Sequence, residues 1–387
     1  MVNFNIIKES YFLRLIKVDR MTKKNIFRPV NLFIVAVLMT VVIGMRNAYP
    51  LINPANNANH PPTAVSGNPD SLSNGHGLSV KNVFSIIVDK DNIKWFCSDA
   101  GIVSYDGQNW KSHDGIRNLP FQDLKGIAYV MNSEGPELWI ASPEGATVAR
   151  LPMDDQNNAF TLSPENSGIF GKEVVSIAAG KNSIRWIGTE KGISALSHDT
   201  WLTPAYDMYY PEELFQGWPI TTIATNPEGD SLYAGTAGAG IARVYRDEVD
   251  AISGASVYAQ WGPIILPSDN IYSIYIDPDG IQWFGTDAGI ARHTGYNTLE
   301  NWTVYTTEDG LVDNFVQAIC GDGKGNIWIG TSGGVSVFDG SSWKSYTTED
   351  GLASNHILSL AVDHEGTVWI GTDTGIASYE NGVFVNK

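Results

Sequence analysis

Residues 326–352 read NIWIGTSGGVSVFDGSSWKSYTTEDGL. An apolar run around Trp328 and Ile329 ends in Gly330-Thr331, and a glycine turn follows at Gly333 and Gly334. Val335, Val337 and Phe338 come next, and Asp339-Gly340 turns the chain again before Trp343 and Tyr346. Runs of strand length, rich in β-branched and aromatic residues and broken by residues that accept positive φ, spell β-hairpins.

The unit recurs. Its leading aromatic falls at Trp95, Trp139, Trp186, Tyr233, Trp283, Trp328 and Trp369, at intervals of roughly 41–50 residues, a propeller-like period. The second and fourth copies depart most, with Pro143 at a polar turn position and Tyr233 in place of tryptophan. In the sixth copy Phe315, Val316, Ala318 and Ile319 form a first strand, and Asp322-Gly323-Lys324-Gly325 turns into the tryptophan strand. The matching turns are Asp277-Pro278-Asp279-Gly280 and Asp363-His364-Glu365-Gly366. Aspartate bonds the backbone of such a turn and glycine supplies the left-handed position.

A four-stranded meander of this size cannot bury both faces alone. Stacked radially, the tryptophans fill the space between neighbouring sheets. The expected fold is all-β, a seven-bladed β-propeller of four-stranded blades over residues 74–387. The ring starts at a first strand and ends at a fourth around Val383 and Val385, so no strand is expected to cross the seam unless the linker supplies one.

The repeats resemble the two-component regulator propeller repeats of extracytoplasmic sensor regions in bacterial hybrid histidine kinases. The likeness rests on the lead-in Asp350-Gly351-Leu352 with Asn355, the D-x-x-G turn and the W-I-G-T-x-x-G-I signature. It covers essentially everything after the linker and implies a sensory module. The sequence ends at Lys387, one strand past the last signature, so the expectation is a sensor-like module without its own kinase output.

Residues 1–46 hold eight of the 25 Lys/Arg and two of the 42 Asp/Glu, leaving 17 against 40 and a formal −23 on the rest. Phosphate binding needs a basic face, which argues against nucleic acid. Within residues 1–46, Lys23, Lys24 and Arg28 precede an apolar run from Leu32 to Met45. That is a basic leader with a signal peptide or short membrane anchor, and the expected route to a membrane. Residues 47–73 are Asn-, Pro-, Ser- and Gly-rich, which is linker chemistry. Cys97 and Cys320 belong to the first and sixth repeats, which are not neighbours in a seven-unit ring, so both are expected to be free.

Strand parity puts the hairpins joining second to third strands on the same face as the passages between blades. The former carry Asp99, Glu190, Asp287 and Asp373. The latter carry Asp309, Asp313, Asp350, Asn82, Asn270, Asn314 and Asn355. Such a ring could hold a polar ligand; equally, each residue could cap its own turn, and recurrence in nearly every blade favours capping. Asymmetry enters at residues 204–218, PAYDMYYPEELFQGW, a longer passage with Tyr206, Tyr209, Tyr210 and Trp218. Exposed aromatics on a loop suit stacking against a ligand. Trp261 aligns with Tyr346 and Tyr258 with Trp343, which marks that pair as structural.

The expected ligand site therefore combines Tyr206, Tyr209, Tyr210 and Trp218 with Glu190, Asp373 and Asn355. No catalytic residue set, metal centre or cofactor is expected. The expected function is an exported, sensor-like module that binds a carbohydrate or other small polar ligand. A separately encoded membrane sensor is a candidate protein partner. One alternative is a protein–protein interaction scaffold at the cell surface. The other is a metal-dependent lyase or hydrolase like the streptogramin lyases, with His356 for acid–base work. The topological expectation is direct to check: protease added to spheroplasts of the host should cleave the linker after residue 47, and full protection would show that the chain stays inside.

Overall fold

The computed structural model of the protein describes residues 80–114, 118–120, 122–153, 159–198, 200–202, 219–246, 252–258, 266–294 and 301–387. The leader, the linker, the expected boundary at residue 74 and residues 204–218 lie outside them.

The serine or threonine of each repeat signature builds its hairpin. Ser98, Ser142, Thr189, Thr236, Thr286, Thr331 and Thr372 are all fully buried. Each hydroxyl donates to the carbonyl of the glycine leading into the third strand, at 2.8–3.1 Å. In six blades the same oxygen accepts an N–H from the hairpin tip, as from Gly333 to Thr331 at 3.1 Å. A buried hydroxyl needs such partners, so the signature is a hairpin clamp. Gly334 adopts φ of 139°, and a Cβ there would collide with the Tyr346 carbonyl oxygen.

Twenty-eight strands among the described residues form seven antiparallel sheets, each of four strands in chain order. The first blade comprises Ser85–Val88, Lys94–Ser98, Gly101–Tyr105 and Trp110–Ser112. The seventh comprises Ile357–Val362, Val368–Thr372, Ile376–Glu380 and Val383–Asn386. Helical structure among the described residues includes two short 3-10 turns, Lys181–Ser183 and Thr348–Asp350. Successive first strands lie side by side, and the last lies beside the first, so they line the axis of a closed ring.

Seven apolar clusters fill the seven gaps between blades. Each leading aromatic, no more than 4 % exposed, packs towards the following blade, as Trp186 does with Ile220 and Ile223. The glycine two residues later makes room for that blade. A Cβ on Gly188 would lie 2.7 Å from Ile220, on Gly235 2.7 Å from Ile271, on Gly285 2.6 Å from Val316, and on Gly330 2.5 Å from Ile357. Real Cβ atoms do not approach so closely, and close-packed interiors have no slack to give.

The same contact closes the ring, where a Cβ on Gly371 would lie 2.8 Å from Val83 Cβ. Across the seam the Val83 N–H donates to the Thr372 carbonyl at 3.0 Å, and Ser359 Oγ donates to the Val83 carbonyl at 2.7 Å. All four strands of the seventh blade are consecutive in the chain, and no strand is borrowed. Lys94 Nζ, buried, sits 3.2 Å from the buried Asp363 carboxylate, which also accepts the Trp369 indole N–H at 2.9 Å.

Both cysteines are free and buried, as expected. Cys97 lies in the cluster between blades one and two, and Cys320 in the one between six and seven. Burial pushes both thiols well above the ordinary range. One alignment needs correction. Tyr258 pairs with Ile241 just as Tyr346 pairs with Val335, so Tyr258 matches Tyr346 rather than Trp343. A bulge at Tyr245/Arg246 and a longer third-to-fourth connection shift the spacing. Trp261 lies outside the described residues.

Overfilling the gap and emptying it should both loosen the ring. Gly330→Val forces Ile357 aside and should cost about 1–3 kcal/mol, while Trp328→Ala should cost ~3–5 kcal/mol. Urea denaturation would measure both, and an unchanged midpoint in either variant would mean the blades are held by something else.

Candidate functional site at the mouth of the ring

In five blades the hairpin tip between second and third strands bonds to the segment leading into the first strand. The N–H of Asp99 donates to Lys81, Glu190 to Glu173, Ala237 to Pro219, Ser332 to Phe315 and Asp373 to His356, at 3.1–3.4 Å. Hairpins and inter-blade passages therefore share one face, as strand parity requires.

At this face every first strand carries a β-bulge. The register slips at Val175, Thr221, Tyr272, Gln317 and Leu358. In the first two blades the N–H groups of Phe84 and Lys125 donate to Cys97 and Ala141, which already pair with Ser85 and Gly126. Two residues thus oppose one, and a bulge re-aims the extra side chain. Its neighbours stay in the core, as Ile271 and Ser273 do on either side of Tyr272. Of the bulged residues, Phe84 is 37 % and Tyr272 38 % exposed, Lys125 is exposed, and the other four are half-buried, with Val175 against the apolar cluster between blades three and four and the Thr221 hydroxyl donating to the Ile271 carbonyl. The Tyr272 ring meets that of Phe315, from the next blade, at 4.7 Å between centroids.

The recurrent acids and amides close local turns. Asp99 accepts from Lys81 N at 2.9 Å, Glu190 from Lys172 N at 3.1 Å, and Asp287 from Asn270 Nδ2 at 2.9 Å. Asn355 accepts from Thr348 N at 2.7 Å, and Asn314 does the same to Thr307 N at 2.8 Å. Asp309, Asp313 and Asp350 accept backbone N–H groups of their own loops at 2.8–2.9 Å. One oxygen each of Glu190, Asp287 and Asp373 is nonetheless buried and finds no donor among the described residues.

Of the residues expected to form the site, Asp373 and Asn355 share the seventh blade, while Glu190 stands on the third and is not beside them. Tyr206, Tyr209, Tyr210 and Trp218 lie outside the described residues. The bulged positions were not anticipated from the sequence. Their signal is the residue between a branched aliphatic and a small or hydroxyl residue at the start of each first strand, as in Ile271-Tyr272-Ser273, Val316-Gln317-Ala318 and Leu124-Lys125-Gly126.

His356 lies at the mouth, 42 % exposed, with Nδ1 3.6 Å from Asp373. His113 and His293 are buried within their blades, against Ser104 and Gln282. Among the described residues no three His, Cys, Asp or Glu side chains are placed to hold a metal ion. No helix among them is long and apolar enough to cross a membrane.

Residues 265–288, 310–333 and 351–374 match the two component regulator propeller family model. Each match runs from the lead-in of a blade through its second strand. No curated protein sequence matches the chain. Among solved structures, the chain is similar to the extracellular domain of BT3049 from B. thetaiotaomicron, assigned to hybrid two-component systems. The two share 21 % identity over 79 % of this chain and 39 % of that one, with a TM-score of 0.61. The extracellular domain of BT4673 from the same organism gives 19 % identity over 78 % and 38 %, with a TM-score of 0.57. The chain thus spans about two-fifths of the length of these chains. A streptogramin B lyase gives 15 % identity over 80 % of this chain and 95 % of the lyase, with a TM-score of 0.57. At such identities the likeness is one of fold.

The buried histidine makes stability depend on pH. Burial, helped by nearby Lys111, lowers His113 from the ordinary imidazole value of 6.5 to about 4. The unfolded chain therefore binds the proton first, and stability falls as pH drops through that interval. Urea midpoints should decline from neutral pH towards the lower value, and His113→Gln should flatten that decline. An unchanged slope in the variant would assign the effect to other groups.

Proposed function

From a chain that carries two-component regulator propeller repeats, we propose an exported, sensor-like binding module that holds a carbohydrate or other small polar ligand at the mouth of its ring. One observation carries the reading. The positions that build the scaffold repeat from blade to blade, whereas the seven bulged positions hold seven different residues: Phe84, Lys125, Val175, Thr221, Tyr272, Gln317 and Leu358. Packing asks the same of every blade. A ligand asks something different of each, so a surface that breaks the symmetry at one repeated position suits recognition.

Aromatic faces at Phe84, Tyr272 and Phe315 offer stacking area, and Gln317, Asn270 and Asp373 offer hydrogen-bonding groups. Tyr206, Tyr209, Tyr210 and Trp218, outside the described residues, are proposed on strand parity as further aromatic contacts for the same ligand. Export is proposed from the basic leader, in keeping with the extracellular domains among the structural neighbours. Output would pass to a separately encoded partner. The pair His356–Asp373 supports a second, enzymatic reading of the same mouth.

A glycan and peptide array with the purified protein tests these readings. Saccharide binding that drops about tenfold or more in Tyr272→Ala, with an unchanged melting temperature, is the expected result. Binding to peptides alone would favour a scaffold, and turnover that depends on His356 would favour an enzyme.

A further inference from the structure

The outer edges of the blades are not equally protected. In the seventh blade Val383–Asn386 pairs with Ile376–Glu380, and the Lys387 N–H donates to the Ile376 carbonyl at 2.9 Å. Backbone groups alternate along such a strand, so those of Val383 and Val385 turn to the third strand. Those of Phe384 and Asn386 are left on the open edge, without a partner among the described residues. At the register position of Val385 the first, fifth and sixth blades carry polar residues, Lys111, Thr303 and Lys344. The second blade has Phe160 there, but the Asn118 and Asn166 amides donate to the edge carbonyls of Ala159 and Thr161 at 3.3 and 2.9 Å. Val383–Asn386 has neither device. It holds no charged residue, Val383 and Val385 are 59 % and 37 % exposed, and the flanking Lys387 and Glu380 pair with each other at 2.7 Å. An apolar edge without lysine is a template for a further strand.

We propose that Val383–Asn386 joins two copies of this chain, pairing antiparallel with the same strand of a second copy about a two-fold axis at Val385. The edge is self-complementary. With Phe384 of one copy opposite Asn386 of the other, the two residues exchange both N–H···O bonds, and the two-fold repeats that exchange on the other side of Val385. The two Val385 side chains then stand side by side on one face, in the closer, non-hydrogen-bonded kind of pair. Two seventh blades become one continuous sheet. Each fourth strand runs towards the mouth, so antiparallel pairing turns the two mouths to opposite sides. Both copies carry a formal −17, and added salt screens their repulsion and strengthens the contact.

Sedimentation equilibrium of the purified full chain tests the pairing. A monomer–dimer equilibrium that tightens with salt is the expected result. Val385→Lys, which copies the first and sixth blades, should weaken it about tenfold or more while the melting temperature stays unchanged. Val385→Cys should form a disulfide-linked dimer under mild oxidation, because the closer kind of strand pair lies within disulfide reach. Lys344→Cys, at the matching position of the sixth blade, should not, and the native Cys97 and Cys320 are buried away from such chemistry. A chain that stays monomeric leaves this edge to a strand from a different protein and overturns the proposal. Association that survives Val385→Lys, with Val385→Cys failing to cross-link, overturns it too, and assigns the contact to another surface such as the apolar run from Leu32 to Met45.

Discussion

The ring depends on one steric contact repeated around the axis. A glycine in the second strand of one blade leaves a hollow, and a branched side chain at the start of the next blade fills it. Gly188 with Ile220, Gly235 with Ile271, Gly285 with Val316, Gly330 with Ile357 and Gly371 with Val83 are five instances. The other two interfaces hold larger residues at that position, Cys97 beside Leu124 and Ala141 beside Val174, within apolar clusters of their own. Because the seventh blade meets the first through this same contact, closure needs no exchanged strand. The tryptophan two residues earlier (Tyr233 in the fourth blade) then covers the gap with a large flat surface.

Two interfaces add a buried charge pair, and both use the residue just before the tryptophan. Lys94 reaches back to Asp363, and Arg185 reaches back to Glu137 at 3.2 Å. In each case the carboxylate also holds the indole N–H of the preceding blade, and the cation lies 5.4–5.7 Å from that indole ring. A buried ion pair repays its desolvation only when its remaining hydrogen bonds are met, and here the indole meets one of them. These pairs mark two of the seven interfaces, including the one at the seam.

The same geometry separates scaffold from site. The branched residue that fills the hollow and the small residue two positions on, as with Ile271 and Ser273, are both held in the core. The bulge between them re-aims one residue per blade, and it does so at the end of the strand nearest the hairpin tips. Five of the seven equivalent positions carry little of the fold's packing, while Val175 still packs on an apolar cluster and Thr221 still bonds to the Ile271 carbonyl of the next blade. The symmetric acids around them mostly close turns, which leaves the residues that differ as the surface of the proposed recognition.

Much of this architecture was readable along the chain. The recurrence of the aromatic, the glycine and the threonine determined the blade count, the strand order and the absence of a bridged Cys97–Cys320 pair, because local hydrogen bonding and period leave few alternatives. Strand parity likewise determined which loops share a face. The candidate site was less readable. Asn355 looked like a ligand group, yet its oxygen is committed to Thr348 N, and Glu190 and Asp373 are set apart by the ring. The bulges emerge only when neighbouring strands compete for register, since a slip of one residue leaves no mark in composition. Tyr272 and Phe315 are 43 positions apart in the sequence, and Leu358 belongs to a third blade. Closure of the ring, a tertiary event, brings their blades together at one mouth and gathers the acids of three blades there.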